Sequence, residues 1–320
     1  MKLEDRIFEI NSEAEFSEVA LEVFNFQMKN CAVYRDFVTH LNCPKPNKLE
    51  EIPFLPIDFF KTHPVYDTSK NPTLEFKSSG TAGDRSSHFI IDPTIYSKSF
   101  NLTFRSFIGN PEDMVVLALL PNYIEQGKSS LVYMVDELIN QAHPLSGFCL
   151  HDHRELFERY NNAIELNKQV VIFGVSYALL DLCEMKKSFE KAIIIETGGM
   201  KGRREELSKD QLHERLTSGL NCAHIYSEYG MTELLSQAYS KEDLVFQSSP
   251  WMKVLIRDMN DPLTYCAEGK TGGINVIDLA NIYSCSFIAT QDLGKIKPGG
   301  FELLGRFDQA DIRGCNLLVQ

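Results

Sequence analysis

The chain has 320 residues, 43% hydrophobic and 24% charged, enough for a globular protein with a substantial core. A formal net charge of −12 disfavours an extended nucleic-acid or anionic-membrane surface, although a small anion needs only a local pocket. No apolar run approaches membrane-spanning length, and the opening Met1-Lys2-Leu3-Glu4-Asp5-Arg6 lacks a signal peptide's apolar core. The eight cysteines are scattered without a C-x-x-C pair, so the expected setting is the cytoplasm, with reduced thiols and neither a disulfide frame nor a zinc site.

Residues 13–42 carry Phe16, Val19, Ala20, Val23, Phe24, Phe26, Tyr34, Phe37 and Val38 mostly at helical spacing, and Pro44, Pro46, Pro53 and Pro56 should end that helical region. Ile57–Lys61 is a short helical candidate. Strands are expected at Leu74-Glu75-Phe76 and Phe89-Ile90-Ile91, with a Ser- and Gly-rich loop between them. Met114–Leu120, Val170–Phe173, Lys191–Glu196 and Ala223–Tyr226 read as buried strands. Ser130–Asn140, His153–Leu166, Tyr177–Met185 and Lys209–Ser218 read as helices between them. Strands alternating with helices predict a doubly wound α/β core. After Leu244 the texture changes to strands and turns, at Val254–Ile256, Gly273–Ile277, Tyr283–Ala289 and Phe301–Leu304. With no repeat and no linker in view, the expectation is one domain. It has a helical lead-in over 1–73, the α/β core over 74–244, and a β-rich subdomain with a short tail over 245–320.

Three segments carry chemistry. In the first, Lys77-Ser78-Ser79-Gly80-Thr81-Ala82-Gly83-Asp84-Arg85-Ser86-Ser87, glycines let consecutive amides point into one concavity, hydroxyls add donors and Arg85 adds charge. An anion fits such a loop, and so does a plain hairpin turn. The second, Ala223-His224-Ile225-Tyr226-Ser227-Glu228-Tyr229-Gly230-Met231-Thr232-Glu233-Leu234, is expected to join a buried strand to a following helix. Open α/β sheets bind ligands at such strand ends. There Thr232 could hold a phosphate and Glu233 its Mg²⁺, or Glu233 could be a first-turn acid favoured by the helix dipole. The third is Ala289-Thr290-Gln291-Asp292-Leu293-Gly294, followed by Leu304-Gly305-Arg306-Phe307-Asp308. An aspartate just past a strand could accept both hydroxyls of a ribose, and Arg306 could share that task or touch the phosphate. His151-Asp152-His153 reads as a polar helix entry in preference to half a metal site. The aromatic cluster Phe54, Phe59 and Phe60 reads as core.

Together, and in this order, these segments resemble the adenylate-forming superfamily of acyl-CoA synthetases, peptide-synthetase adenylation domains and luciferases. The resemblance runs from about residue 74 onward. Ser78-Ser79-Gly80-Thr81-Ala82-Gly83 looks like its phosphate loop, Tyr229-Gly230-Met231-Thr232-Glu233 like its Y-G-x-T-E motif, and Gly305-Arg306-Phe307-Asp308 like its G-R-x-D. Thr290-Gln291-Asp292 looks like its T-G-D, with Gln291 in place of the glycine. Ile52-Pro53-Phe54-Leu55-Pro56-Ile57-Asp58-Phe59-Phe60-Lys61-Thr62-His63 and Leu120-Pro121-Asn122-Tyr123-Ile124-Glu125-Gln126-Gly127-Lys128-Ser129-Ser130-Leu131-Val132-Tyr133-Met134 resemble, more closely, the LuxE family of acyl-protein synthetases.

The resemblance implies the large N-terminal-type domain of these enzymes, doubly wound sheets plus a β-rich subdomain. It implies ATP and Mg²⁺, with Ser78, Ser79, Gly80, Thr81, Gly83 and Arg85 on the phosphates, Thr232 on the α-phosphate and Glu233 on the metal. The pair Gly198-Gly199 would border the adenine, or form a simple tight turn; Tyr229 of the Y-G-x-T-E motif would belong to the nucleotide site, Asp292 and Arg306 would hold the ribose, and Gly174-Val175-Ser176-Tyr177 would border the acyl pocket. The implied reaction activates a carboxylic acid, a fatty acid for this family, as acyl-AMP and passes the acyl group to a protein cysteine. Cys315, in Arg313-Gly314-Cys315-Asn316, stands as the candidate acceptor, with a small buried apolar residue as its other reading, and an acyl-accepting partner protein is a further expectation. Two departures stand out. Arg85 and Ser86 occupy the places of a Pro-Lys pair, and the superfamily's C-terminal lid, with its catalytic lysine, is expected to be absent because the chain stops at Gln320. Two other readings stay open: a CoA ligase resembling phenylacetate-CoA ligases, with CoA as cosubstrate, and a non-catalytic nucleotide-binding protein.

Overall fold

A computed structural model of the chain describes residues 2–79, 85–121, 127–149, 153–198, 207–241 and 243–307. The chain divides into two compact units, one built from residues up to Asn71 and from Gln247 onward, the other from Pro72–Phe246.

The N-terminal segment contributes helices α1 (Leu3–Ile7), α2 (Glu13–Asn30) and α3 (Ala32–Leu41), strand β1 (Leu55–Pro56) and helix α4 (Phe59–Thr62). Ser12 caps α2 by accepting from the Glu15 N–H, which satisfies one of the donors a helix start leaves orphaned. The helical region expected over 13–42 is broken at Cys31, whose backbone is extended and forms a β-bridge with Asp67. Apolar spacing is blind to such a break, because both helices keep their faces inward.

The second unit runs from the hairpin β2 (Leu74–Lys77) and β3 (Ser87–Ile90) through α5 (Pro93–Phe107), β4 (Met114–Leu119), α6 (Ser130–Gln141) and β5 (Gly147–Phe148). It continues with α7 (His153–Glu165), β6 (Gln169–Val175), α8 (Ser176–Cys183), β7 (Ala192–Thr197), α9 (Lys209–Leu220), β8 (His224–Tyr229) and β9 (Ala238–Ser240). Strands β4 to β8 are parallel, in the order β8-β7-β6-β4-β5, and β9 adds antiparallel to β8. The order reverses at β4, as in doubly wound sheets, and ligands of such sheets gather outside the carboxyl ends of the strands. Every residue of β4, and all of β6 beyond Gln169, is buried. That explains their unbroken apolar runs, since a strand covered on both faces has no polar side to alternate. Helix α5 carries a sequence signal that the strand–helix reading passed over: Asp92 caps it, Pro93 opens it, and Ile95, Tyr96, Ser99, Phe100, Thr103 and Phe104 form its buried stripe.

Strand β10 (Val245–Ser248) crosses the unit boundary, and the chain then forms β11 (Met252–Arg257), β12 (Gly272–Asp278), β13 (Phe287–Lys297) and β14 (Gly300–Arg306). Strands β11 to β14 make an antiparallel meander in sequence order. Within this same unit β1 pairs parallel with β13, Leu55 opposite Ile288 and Pro56 opposite Ala289. Helix α2 is anchored there too: the buried Gln27 amide donates to the Asn281 and Ile282 carbonyls and accepts from the Ser286 N–H. Residues near the two ends of the chain therefore share one core.

Candidate functional site

The stem of the Ser/Gly loop is built by the β2–β3 hairpin, where Phe76 faces His88 and Lys77 faces Ser87. One step further out the Ser78 N–H donates to the Ser86 carbonyl at 3.1 Å, and the Ser86 N–H donates to Ser78 Oγ at 2.9 Å. A side-chain oxygen thus replaces a backbone carbonyl where the hairpin opens. Ser78 and Arg85 are half-buried and Ser79 is exposed, while Gly80, Thr81 and Gly83 lie outside the described residues.

His88 is fully buried, with Nδ1 2.8 Å from the Thr232 carbonyl oxygen. A carbonyl only accepts, so Nδ1 carries the proton, and the imidazole ties the loop's return strand to the segment holding Thr232 and Glu233. Sequence reasoning missed this residue, whose signal was its inward position in the alternating strand Ser87-His88-Phe89-Ile90. Thr232 is half-buried and the Glu233 carboxylate is buried. The helix expected after Tyr229 does not form. A single turn, closed by the Leu234 N–H on the Met231 carbonyl, leads back as β9, with Tyr229 opposite Ala238. Leu234 through Ser240 are buried without interruption, and this run supplies hydrogen-bond partners to the outer edge of β8, where a helix could not. Glu233 is therefore not a first-turn acid.

At the carboxyl ends of β6, β7 and β8 lies a buried polar network that motif reading did not find. Glu196 is fully buried; Ser176 Oγ donates to its Oε2 at 3.1 Å, and Lys209 Nζ and Ser227 Oγ both donate to its Oε1. His213 Nε2 lies 2.9 Å from Ser227 Oγ. Burial acts to raise the Glu196 carboxyl, but the Lys209 ammonium, together with hydrogen bonds from His213, Lys209 and Ser227, brings it down to about 2. Glu228, one residue further along the neighbouring strand, has the opposite fate. Burial pushes its carboxyl up to about 7, Glu196 adds to the rise, and the Thr197 hydroxyl, which donates to it, works against it. Two carboxyls at adjacent strand ends are thus shifted in opposite directions, Glu196 downward and Glu228 up to the neutral range. Gly230 belongs to this arrangement, because a Cβ there would strike Glu228 Oε1. Tyr229 packs edge-on against Phe246, with ring centroids 6.0 Å apart. Gly198 is exposed just after β7 with φ +68, and Gly199 lies outside the described residues.

In the other unit, Asp292 sits inside the long strand β13 and not past its end. Arg306 of β14 is its direct cross-strand partner, with Nε 3.3 Å from Asp292 Oδ1. Asp292 is 8% exposed, whereas the Arg306 side chain is 71% exposed, so a sheltered carboxylate stands beside a guanidinium that solutes can reach. Gln291, which stands in place of a glycine, donates from Nε2 to Asp58 Oδ2 at 2.7 Å, and Lys61 Nζ lies 2.7 Å from the other carboxylate oxygen of Asp58. The Ile57 N–H donates to the Ala289 carbonyl. The segment around Ile52–His63 thereby acts as a strut for Thr290–Asp292, a role invisible in its composition. Phe54 and Phe60 are core, Phe54 edge-on to Phe287. Cys315 lies outside the described residues, as do His151 and Asp152 of the His151-Asp152-His153 triplet. Among the described residues no three His, Cys, Asp or Glu side chains converge as a metal cage, and no helix is long and apolar enough to cross a membrane.

Solved structures with this architecture include adenylate-forming ligases. A structure of 2-hydroxyisobutyryl-CoA ligase in complex with 2-HIB-AMP and CoA matches with a TM-score of 0.65 at 13% identity, over 94% of this chain and 72% of that one. ATP-bound MatB from Rhodopseudomonas palustris matches with a TM-score of 0.55 at 18% identity, over 72% of this chain and 47% of that one. The chain therefore spans about half the length of MatB. At these identities the likeness defines the fold, that of the N-terminal domain of adenylate-forming ligases. The acyl-protein synthetase family, LuxE, matches residues 128–320, and the chain belongs to that family. Among curated proteins no match is found.

Proposed function

We propose that the protein activates a carboxylic acid, a fatty acid by its family, with ATP to give acyl-AMP, and transfers the acyl group to a protein cysteine, with Cys315 as the acceptor. The observation that carries the nucleotide reading is the Asp292–Arg306 pair. A carboxylate fixed in mid-strand and shielded from water can accept from two vicinal hydroxyls, and the adjacent guanidinium offers it an opposite charge. The Ser78-Ser79 stem and the Thr232-Glu233 turn, joined through His88, supply donors for phosphates and one buried carboxylate.

In the first step an oxygen of the acid's carboxylate attacks the α-phosphorus, and the bond to the bridging oxygen breaks. Pyrophosphate leaves. Ser78, Ser79, Gly80, Thr81, Gly83 and Arg85 hold the phosphates, Thr232 orients the α-phosphate, Gly198, Gly199 and Tyr229 border the base, and Asp292 and Arg306 hold the ribose. Glu233 presents the hard oxygen donor that Mg²⁺ prefers, and the ion when bound neutralises charge on the phosphates. In the second step the Cys315 thiolate attacks the acyl carbonyl, the bond to the phosphate oxygen breaks, and AMP leaves with the electron pair while the thiol proton passes to solvent. The described cysteines are all free thiols, which fits a reducing cytoplasm and a protein acceptor, on this chain or on a partner.

Acid-dependent ATP–pyrophosphate exchange over a panel of saturated fatty, aryl and short-chain acids tests the first step. Absence of exchange with every acid refutes it and favours a nucleotide-binding protein. Intact-mass analysis with peptide mapping tests the second: an adduct that needs ATP and acid, is released by neutral hydroxylamine, and maps to Cys315 is expected. The variant Cys315→Ser should form acyl-AMP and accumulate no thioester. An unlabelled protein that makes acyl-CoA rapidly on addition of CoA would refute the protein acceptor in favour of a CoA ligase.

A further inference from the structure

Arg257 closes β11, and its side chain reaches across the neighbouring strand. Nη1 donates to the Ile274 carbonyl and to Asn275 Oδ1, both at 2.8 Å, on β12. Nη2 goes one strand further and donates to the Thr290 carbonyl on β13 at 2.6 Å. This route exists because Gly273 is its direct partner on β12: a Cβ there would sit 2.7 Å from both Nε and Nη2. The glycine is a groove for the guanidinium.

Thr290, the residue at the far end, controls the backbone leading to Asp292. Its hydroxyl donates to the Ile274 carbonyl at 2.9 Å and accepts from the Asp292 N–H at 3.1 Å. The same guanidinium lies 5.5 Å from the ring centroid of Phe307, the residue after Arg306, and the Phe307 N–H donates to the Gln291 carbonyl at 2.8 Å. One side chain therefore touches the strand two residues before Asp292 and the residue just after Arg306. A planar guanidinium suits this bridging because its donors are held in a fixed fork, which an ammonium cannot imitate.

We infer that Arg257, laid across Gly273, is a positioning residue for nucleotide recognition, holding Asp292 and Arg306 in the register that grips a ribose diol. A carboxylate that accepts from two hydroxyls needs orientation to within a fraction of an ångström, and support of this kind is what supplies it. The inference rests on the reading of Asp292 and Arg306 as the ribose pair.

The test compares the affinities of the full chain for ATP and for 2′,3′-dideoxyATP, measured by calorimetry in wild type, Arg257→Met, Arg257→Lys, Gly273→Ala and Asp292→Ala. Arg257→Met is expected to weaken ATP on the order of tenfold, the scale of one good hydrogen bond, and to leave dideoxyATP within about twofold. Arg257→Lys should not rescue. Gly273→Ala, which keeps the charge and blocks its path, should give the same selective loss, and it serves if Arg257→Met does not fold. Adding Arg257→Met to Asp292→Ala should cost ATP nothing further. Equal losses for both nucleotides, or a folded Arg257→Met or Gly273→Ala that binds ATP normally while Asp292→Ala shows the selective loss, would overturn the positioning role alone. If Asp292→Ala itself does not discriminate between the nucleotides, the ribose assignment fails and takes Arg257 with it.

Discussion

Glu228→Gln isolates one proton on the folded chain. The Glu228 carboxyl titrates near 7 in the folded protein against an ordinary 4.5, chiefly because it is buried, with the neighbouring Glu196 carboxylate adding to the rise. Below pH 4.5 the group is protonated whether folded or unfolded, and it costs nothing. Between 4.5 and about 7 the unfolded chain releases the proton while the folded chain keeps it, so stability falls as pH rises. The gap between 4.5 and about 7, at about 1.4 kcal/mol for each pH unit, amounts to on the order of 3 kcal/mol by pH 8. Glutamine keeps an acceptor for the Thr197 hydroxyl, matches the volume and cannot ionise. The variant should therefore match wild type near pH 4.5 and exceed it progressively up to pH 8. Glu196 does not confuse this window, because its carboxyl, held near 2, gives stability that is full above 4.5 and is lost only as pH falls toward 2. Urea unfolding at half-unit steps from pH 4.5 to 8 reads the difference directly. A wild-type-to-variant gap that stays flat across that range would refute a protonated Glu228 in the folded chain.

Glu233→Ala should abolish acid-dependent pyrophosphate release while the protein stays folded, since the loss of a charge clamp on the phosphates costs several kcal/mol of transition-state stabilisation; near-normal exchange would remove Glu233 from the site. His88→Leu should slow exchange at least tenfold by releasing the Thr232 carbonyl, and His88→Asn, whose amide can still donate there, should recover much of it; no difference between the two would sever the loop from the Thr232 turn. Gly230→Ala should lower unfolding stability by about 1–3 kcal/mol, because its methyl strikes the Glu228 carboxyl, and an unchanged denaturant midpoint would contradict that packing.

Much of this protein is legible in one dimension. The unbroken apolar runs at Met114–Leu119 and Val170–Phe173 announce buried parallel strands because both faces of a doubly wound sheet are covered, and the amphipathic segments between them announce the covering helices. Three polar segments in a fixed order carry the resemblance to the adenylate-forming superfamily. What escapes the sequence is contact between residues far apart along the chain. Nothing near Gly230 says that the chain turns back as a strand beside β8, because the run from Leu234 to Ser240 is buried throughout and so shows neither a helical nor a strand period. The opposite shifts of Glu196 and Glu228, both buried, arise because Glu196 takes hydrogen bonds from Lys209 and Ser227 while Glu228 takes one from the Thr197 hydroxyl, and that is a matter of sheet order. Asp58 on Gln291, and Arg257 on Thr290, join positions separated by 233 and 33 residues. Sequence spacing set the kinds of side chain the candidate site could draw on; pairing across strands decided which partner each carboxylate meets, Lys209 for Glu196, the Thr197 hydroxyl for Glu228 and Arg306 for Asp292.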